Sequence, residues 1–295
     1  MSKNPLVNDA AEELDNITRE GFFGNESVEL LKRRDSLPRN DFLYESLIPV
    51  FSNSNMANRA VAGTTLRLIE FYLEAIPHSP QEVVDTLTSF INGTESNPGL
   101  ENMSSYSEYI VAQQSWKNCI SGHEGQVLSD SQKRQVAMSL LNAYSKGVEL
   151  IGKVFTQLIV ICKIQKGEQY NINKIAKMTI YEKIEKFKEL SASKYHILTG
   201  VIDRKIRNAD SHLNATYSPK NEEYTIKYNG SNNKMEIYKV SFKELVLGIY
   251  PKIGMFIQGF HSSCIIMALN WSDRNLAQKA IKNIEKINNG GKAEW

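Results

Sequence analysis

The stretch SDSQKRQVAMSLLNAYSKGVELIGKVFTQLIVICKIQKG, residues 129–167, decides the fold. It opens on Ser129-Asp130-Ser131-Gln132, where a hydroxyl at the cap and an amide three residues later can each satisfy a free backbone N–H. Val136, Leu140, Ala143, Tyr144, Gly147, Leu150, Ile151, Val154, Leu158 and Ile161 then recur at steps of three and four. This spacing predicts a helix of about 33 residues with one buried stripe. GEQYN (167–171) ends it.

Downstream, Ile175, Met178, Ile184, Phe187 and Leu190 predict a second helix, and Ile197, Leu198, Val201, Ile202 and Ile206 a third. After Leu213 the register changes. EYTIKY and KMEIYKV alternate, are rich in β-branched and aromatic residues, and flank Asn229-Gly230-Ser231-Asn232-Asn233, which predicts a β-hairpin. Ser241-Phe242-Lys243-Glu244 has the form of a capping box and opens a long helix to about residue 270. A charged helix over roughly 273–287 closes the pattern.

Upstream, the first ninety residues read as several short helices. Residues 56–76 carry apolar positions at helical spacing, and Ser79-Pro80-Gln81-Glu82 starts a helix over about 80–91. NGTESNPGLENMSSYS (92–107) and SGHEGQVLSD (121–130) are dense in turn formers and form the candidate linkers. The expectation is an all-α protein with one inserted β-hairpin, divided near 125 into an acidic helical domain of unassigned role (1–125) and a helical bundle (126–295).

With 295 residues and 41% hydrophobic content the chain can build a large core without staples, which excludes collagen-like, coiled-coil and wholly disordered classes. Cys119, Cys162 and Cys264 are odd in number and far apart, so no disulfide framework is expected and a reducing compartment fits. The N-terminal sequence lacks a signal-peptide pattern, and the apolar run Leu158–Cys162 is too short for a bilayer. The expectation is a cytoplasmic protein with no membrane partner. Residues 1–130 hold 9 basic and 19 acidic side chains against 26 and 14 in the remainder. The surplus is sharpest over 163–207, with 11 basic and 5 acidic groups, which suits a polyanion such as nucleic acid or, equally, a solvated lysine-rich helix face.

The chemistry concentrates in Asp203-Arg204-Lys205-Ile206-Arg207-Asn208-Ala209-Asp210-Ser211-His212, at the end of the third predicted helix. Helical spacing sets Asp203 four residues from Arg207, and Asn208 four from His212, so a carboxylate can orient the guanidinium and an amide the imidazole. Arg207 and His212 stand about 140° apart on an ideal helix, so they converge only if the helix ends or distorts there or a second subunit supplies the partner group. An arginine suits a phosphate whose negative charge grows in the transition state, and a neutral histidine can take a proton from a hydroxyl. That pairing suits RNA cleavage by the substrate's own 2′-OH, without a metal or other cofactor. The alternative is a helix-end salt-bridge network with a capping histidine. Asp203 and Asp210 are supporting groups, and Arg204, Lys205 and Tyr217 are candidate RNA contacts through charge or stacking. His78, His123, His196 and His261 stand singly and read as surface or satisfied core groups. Lys183, Lys186 and Lys188 alternate with Glu182, Glu185 and Glu189, which predicts i,i+3 and i,i+4 pairing.

The motif Arg207-Asn208-Ala209-Asp210-Ser211-His212 at a helix end, with a hairpin and a closing helix after it, resembles the HEPN superfamily over about residues 130–270. The arrangement is similar to that of bacterial abortive-infection and toxin-type endoribonucleases. The resemblance implies a homodimer in which two motifs form one metal-independent ribonuclease site. It assigns the scissile phosphate to Arg207, general base or acid catalysis to His212, and orientation of His212 to Asn208. The products would carry a 2′,3′-cyclic phosphate and a 5′-hydroxyl. RNA substrate, a second copy and an antitoxin or trigger protein are the implied partners, with phage defence or growth arrest as the role. The competing reading is a catalytically inactive helical module that binds RNA or protein.

Overall fold

The computed structural model describes residues 4–52, 55–123, 125–203, 205–206, 215–229 and 234–295. In chain order its main elements are α1 (Pro5–Arg19), α2 (Asn25–Arg33), α3 (Arg39–Glu45), α4 (Ile48–Phe51), α5 (Met56–Ala75), α6 (Pro80–Asn92), α7 (Met103–Ser121), α8 (Asp130–Gln165), α9 (Ile172–Ala176), α10 (Ile180–Leu190), β1 (Ala215–Ser218), β2 (Glu223–Asn229), β3 (Met235–Ser241), α11 (Phe242–Ser272) and α12 (Arg274–Asn288). Helix makes up 71% and strand 7%, so the class is all-α with one small antiparallel sheet.

α8 is the axis. Its start is the expected reciprocal cap, in which Ser129 Oγ accepts from Gln132 N at 3.3 Å and Gln132 Oε1 accepts from Ser129 N at 2.9 Å. From Val154 to Cys162 every side chain is buried, the pattern of a helix surrounded on all sides. Its neighbours include α5, α6, α7, α10 and α11. Aromatic rings join these layers: Phe155 stacks on Phe256 of α11 (5.9 Å) and meets Phe187 of α10 edge-on (5.5 Å), which in turn meets Phe71 of α5 (5.7 Å). Gly147 makes the approach of α7 and α11 possible, because a Cβ there would collide with Ile253 Cγ2 and the Tyr109 ring.

The expected division near 125 does not separate two cores. One buried cluster runs through Ile17, Leu68, Phe71, Leu87 and Tyr109 as well as α8, α10 and α11. A second joins Tyr44, Leu47, Phe51, Val61 and Ile69 to Ile266, Leu269, Ala277, Ile284 and Ile287. Thr65 Oγ1 donates to Val61 O (2.9 Å) and reaches Gly259 O (3.3 Å), tying α5 to α11 across 194 residues of chain. The N-terminal helices therefore cover the C-terminal ones.

Other expectations resolve locally. The helix at 80–91 is α6, but Ser79 donates its hydroxyl to Glu82 Oε1 (2.9 Å) and does not cap a backbone N–H. The second predicted helix is divided into α9 and α10, because Thr179 and Glu182 form a second reciprocal cap that starts the chain afresh. α7 fills the stretch between the two candidate linkers, for which no element was expected, and takes in only the end of the first; its buried positions include Ser107 and Ala112, small groups that leave no strong apolar stripe. The hairpin of β2 and β3 is present, and β1 adds a third strand in the order β1-β2-β3, pairing Tyr217 with Tyr224 and Tyr224 with Val240. Tyr224 fastens the sheet to α8 by donating to Ala137 O at 2.7 Å. α11 has the length and apolar composition of a bilayer-crossing helix, yet 56% of its most apolar window lies inside the molecule.

Candidate functional site

The chain reaches the motif through an irregular passage. After α10, Ala192 and Ser193 take left-handed backbone angles (φ 47° and 58°), and His196–Thr199 form a single 3-10 turn. The third predicted helix is therefore not continuous over 197–206: Ile197 is 64% exposed, whereas Leu198 and Ile206 are buried. The physical reason is Asp203. Its Oδ1 accepts from Lys205 N (2.9 Å) and Ile206 N (3.2 Å), so it caps a new helical turn where the periodicity predicts mid-helix.

Asp203 is held from two further sides. Tyr144, in the middle of α8, places its hydroxyl between the Asp203 backbone groups, accepting from Asp203 N (3.0 Å) and donating to Asp203 O (3.1 Å). Burial, and next the Asp203 carboxylate, push the Tyr144 phenol well above its usual range, so it remains a donor. From β3, the Tyr238 hydroxyl lies 3.5 Å from Asp203 Oδ2, and its phenol is likewise raised, mainly by burial. Buried Ile206 completes the anchor.

The predicted site residues divide accordingly. Arg204, Arg207, Asn208, Asp210 and His212 lie outside the described residues. Asp203 serves as a cap. Lys205 is exposed, with Nζ 4.7 Å from the centre of the Tyr238 ring and 6.0 Å from that of Tyr228; no carboxylate pairs with it among the described residues. A lysine over aromatic faces can hold a phosphate or a base edge. Tyr217 requires a correction. It is 8% exposed, on β1 and not on a loop, and packs against Tyr224 (5.0 Å) and Phe242 (6.3 Å), so its ring is committed to the sheet's inner face.

Part of the basic charge over 163–207 is balanced locally. Lys163 pairs with Glu168 (2.8 Å), Lys186 with Glu189 (2.8 Å), Lys188 with Glu185 (3.0 Å), and Lys194 with Glu74. Lys183 is buried. The solvated-face reading therefore accounts for Lys186 and Lys188 of α10; Lys166, Lys174, Lys177 and Lys205 form no ion pair among the described residues, and of these Lys205 is the one next to the motif.

Tyr144, Tyr228 and Tyr238 were legible only as core or strand residues. The available signal was that a tyrosine in a buried stripe needs a partner for its hydroxyl. Among the described residues no three His, Cys, Asp or Glu side chains gather in a metal-binding group. Comparison of the chain with protein-family models, curated proteins and solved structures finds no match to any of them.

Proposed function

We propose that the protein is a metal-independent endoribonuclease whose reacting groups are Arg207 and His212, arranged in a HEPN-like bundle and completed by a second copy of the chain. The observation that carries this reading is the anchoring of Asp203. A cap, the Tyr144 hydroxyl and the Tyr238 hydroxyl fix the residue from which the motif departs, and catalysis by positioned groups needs such a base. Lys205 beside it supplies a cation over two aromatic rings, with no carboxylate partner among the described residues.

In the reaction the 2′-oxygen of the substrate bonds to phosphorus while the P–O5′ bond breaks. His212 takes the 2′-hydroxyl proton, Arg207 neutralises charge on the non-bridging oxygens, and the 5′-oxygen leaves with a proton from an acid. Asn208 orients His212, and Arg204 and Lys205 hold flanking phosphates. A role in phage defence or growth arrest follows from self-directed RNA cleavage.

The test is purified protein with total RNA in EDTA, followed by mapping of the cut ends. The expected result is discrete fragments with 5′-hydroxyl and 2′,3′-cyclic phosphate ends, abolished by Arg207→Ala and by His212→Ala. Tyr144→Phe removes both hydrogen bonds to Asp203, with an expected loss of about 1 kcal/mol of stability and a partial loss of cleavage. RNA or protein binding that persists in both motif variants, with no cleavage by the wild type, would instead identify a non-enzymatic module.

A further inference from the structure

A second feature lies apart from the motif. An open cavity of about 680 Å3 sits among α1, α2, α3, α4, α7 and α11, within the size range of small-molecule sites. Most of its wall is apolar, with Phe22, Phe42, Val50, Ile257 and Ile265 among the contributors. Such a wall exposed to water is costly unless something covers it.

The polar groups in the lining define the complement. Arg34 is tied to Asp15 at 2.8 Å, and the two charges cancel. Lys117 is different: its Nζ rests 4.0 Å from the centre of the Phe22 ring, and no carboxylate pairs with it among the described residues. The His261 ring packs tilted at 40° against that of Tyr106, with centres 4.1 Å apart, and its Nε2 is closed off from water with no hydrogen-bond partner among the described residues. Burial pushes His261 down to about 4, so it carries no charge at neutral pH. The lining thus presents one positive charge with no carboxylate partner among the described residues, neutral polar groups such as Gln113 and Gln258, and a mostly apolar remainder.

We propose that this cavity binds an amphiphilic monocarboxylate, with its alkyl or aromatic body against Phe22, Phe42, Ile257 and Ile265 and its carboxylate beside Lys117. A neutral body gains by leaving water, and the single anion meets the single free cation. A dianion such as a phosphate monoester would bring charge that nothing in the lining balances. This site is independent of the ribonuclease reading, because none of its lining residues belongs to the motif or to the Asp203 anchor.

The experiment is calorimetric titration of the full chain with laurate and with 1-naphthoate below their aggregation concentrations, against dodecanol and dodecyltrimethylammonium. At least one carboxylate is expected to saturate at one per chain and, for laurate, to bind at least about tenfold more tightly than dodecanol. Lys117→Met keeps the apolar stem, and is expected to weaken carboxylate binding by about fivefold or more while leaving dodecanol unchanged. Ile265→Trp fills the cavity and should abolish binding of both. Val50→Trp fills it from α4 and serves in its place if circular dichroism shows that the first variant has not folded. The proposal is overturned if neither carboxylate binds, if alcohol or cation binds as well as carboxylate, if Lys117→Met changes nothing, or if binding survives a folded filling variant.

Discussion

Two glycines beside one tyrosine ring show how differently the two sides of the α7–α11 contact are built. Gly147 of α8 faces Ile253 and the ring of Tyr109 so closely that no Cβ fits. Gly254, one residue after Ile253, lines the cavity, and a Cβ there would meet only the Tyr109 hydroxyl oxygen, at 3.6 Å. On the first side, small residues let helices interlock at crystal-like density. On the second, side chains from six helices converge without filling the centre. A filled interface serves stability, and a hollow one is surface held open by the same scaffold.

The comparison can be broken outright by removing α7 with the rest of the first segment. A chain of residues 126–295 loses the α5 and α7 partners of α8 and α11, and is expected to lack a cooperative unfolding transition by calorimetry, where the full chain has one. A cooperative transition would show that the C-terminal half folds alone. The next largest effect falls on the filled side: Gly147→Leu forces side-chain volume into an occupied space and should lower stability by about 3 kcal/mol in urea unfolding.

The hollow side should show itself through pH. The folded-state pKa of His261 is about 4, below the ordinary value of 6.5. Between these values the unfolded chain binds a proton that the folded chain refuses, so stability is full above pH 6.5 and falls as pH drops towards 4. The loss attributable to this histidine is about 2 kcal/mol, discounted for the partial exposure of the residue, and His261→Gln should remove it in parallel unfolding curves at pH 7 and pH 4.5. An unchanged pH dependence in the variant would show that the imidazole is already solvated. The smallest effect is of opposite sign: Gly254→Ala has room for its methyl group and should raise stability by about 0.5–1 kcal/mol by restricting the unfolded chain.

How far all this could be read in advance varies with the kind of signal. α8, α6, α12 and the β2–β3 hairpin carry either strong periodicity or explicit caps and turns, and they stand within a few residues of their expected bounds. The sequence was misleading wherever a polar side chain competes with the backbone pattern. Thr179 divides one predicted helix, and Asp203 starts a new turn inside another. β1 is four residues long and α7 buries serine and alanine as much as large apolar groups, so neither leaves a periodic mark. Helices before and after the apparent boundary near 125 share buried clusters, and charge and turn content say nothing about which distant helices do so. At the site, Asp203 and Lys205 were found as chemistry but not as geometry, and Tyr217 proved to be a packing residue. The cavity was invisible, since its walls come from segments up to 250 residues apart.

The second core, which joins residues 44–69 to residues 266–287, has a consequence for biogenesis. During translation α5 leaves the ribosome long before its partners in α11 and α12 exist, and the apolar face formed by Val61, Ala62 and Ile69 must wait for some two hundred further residues. Nascent chains stalled before α12 are therefore exposed to chaperones and proteases in a way that the finished molecule is not.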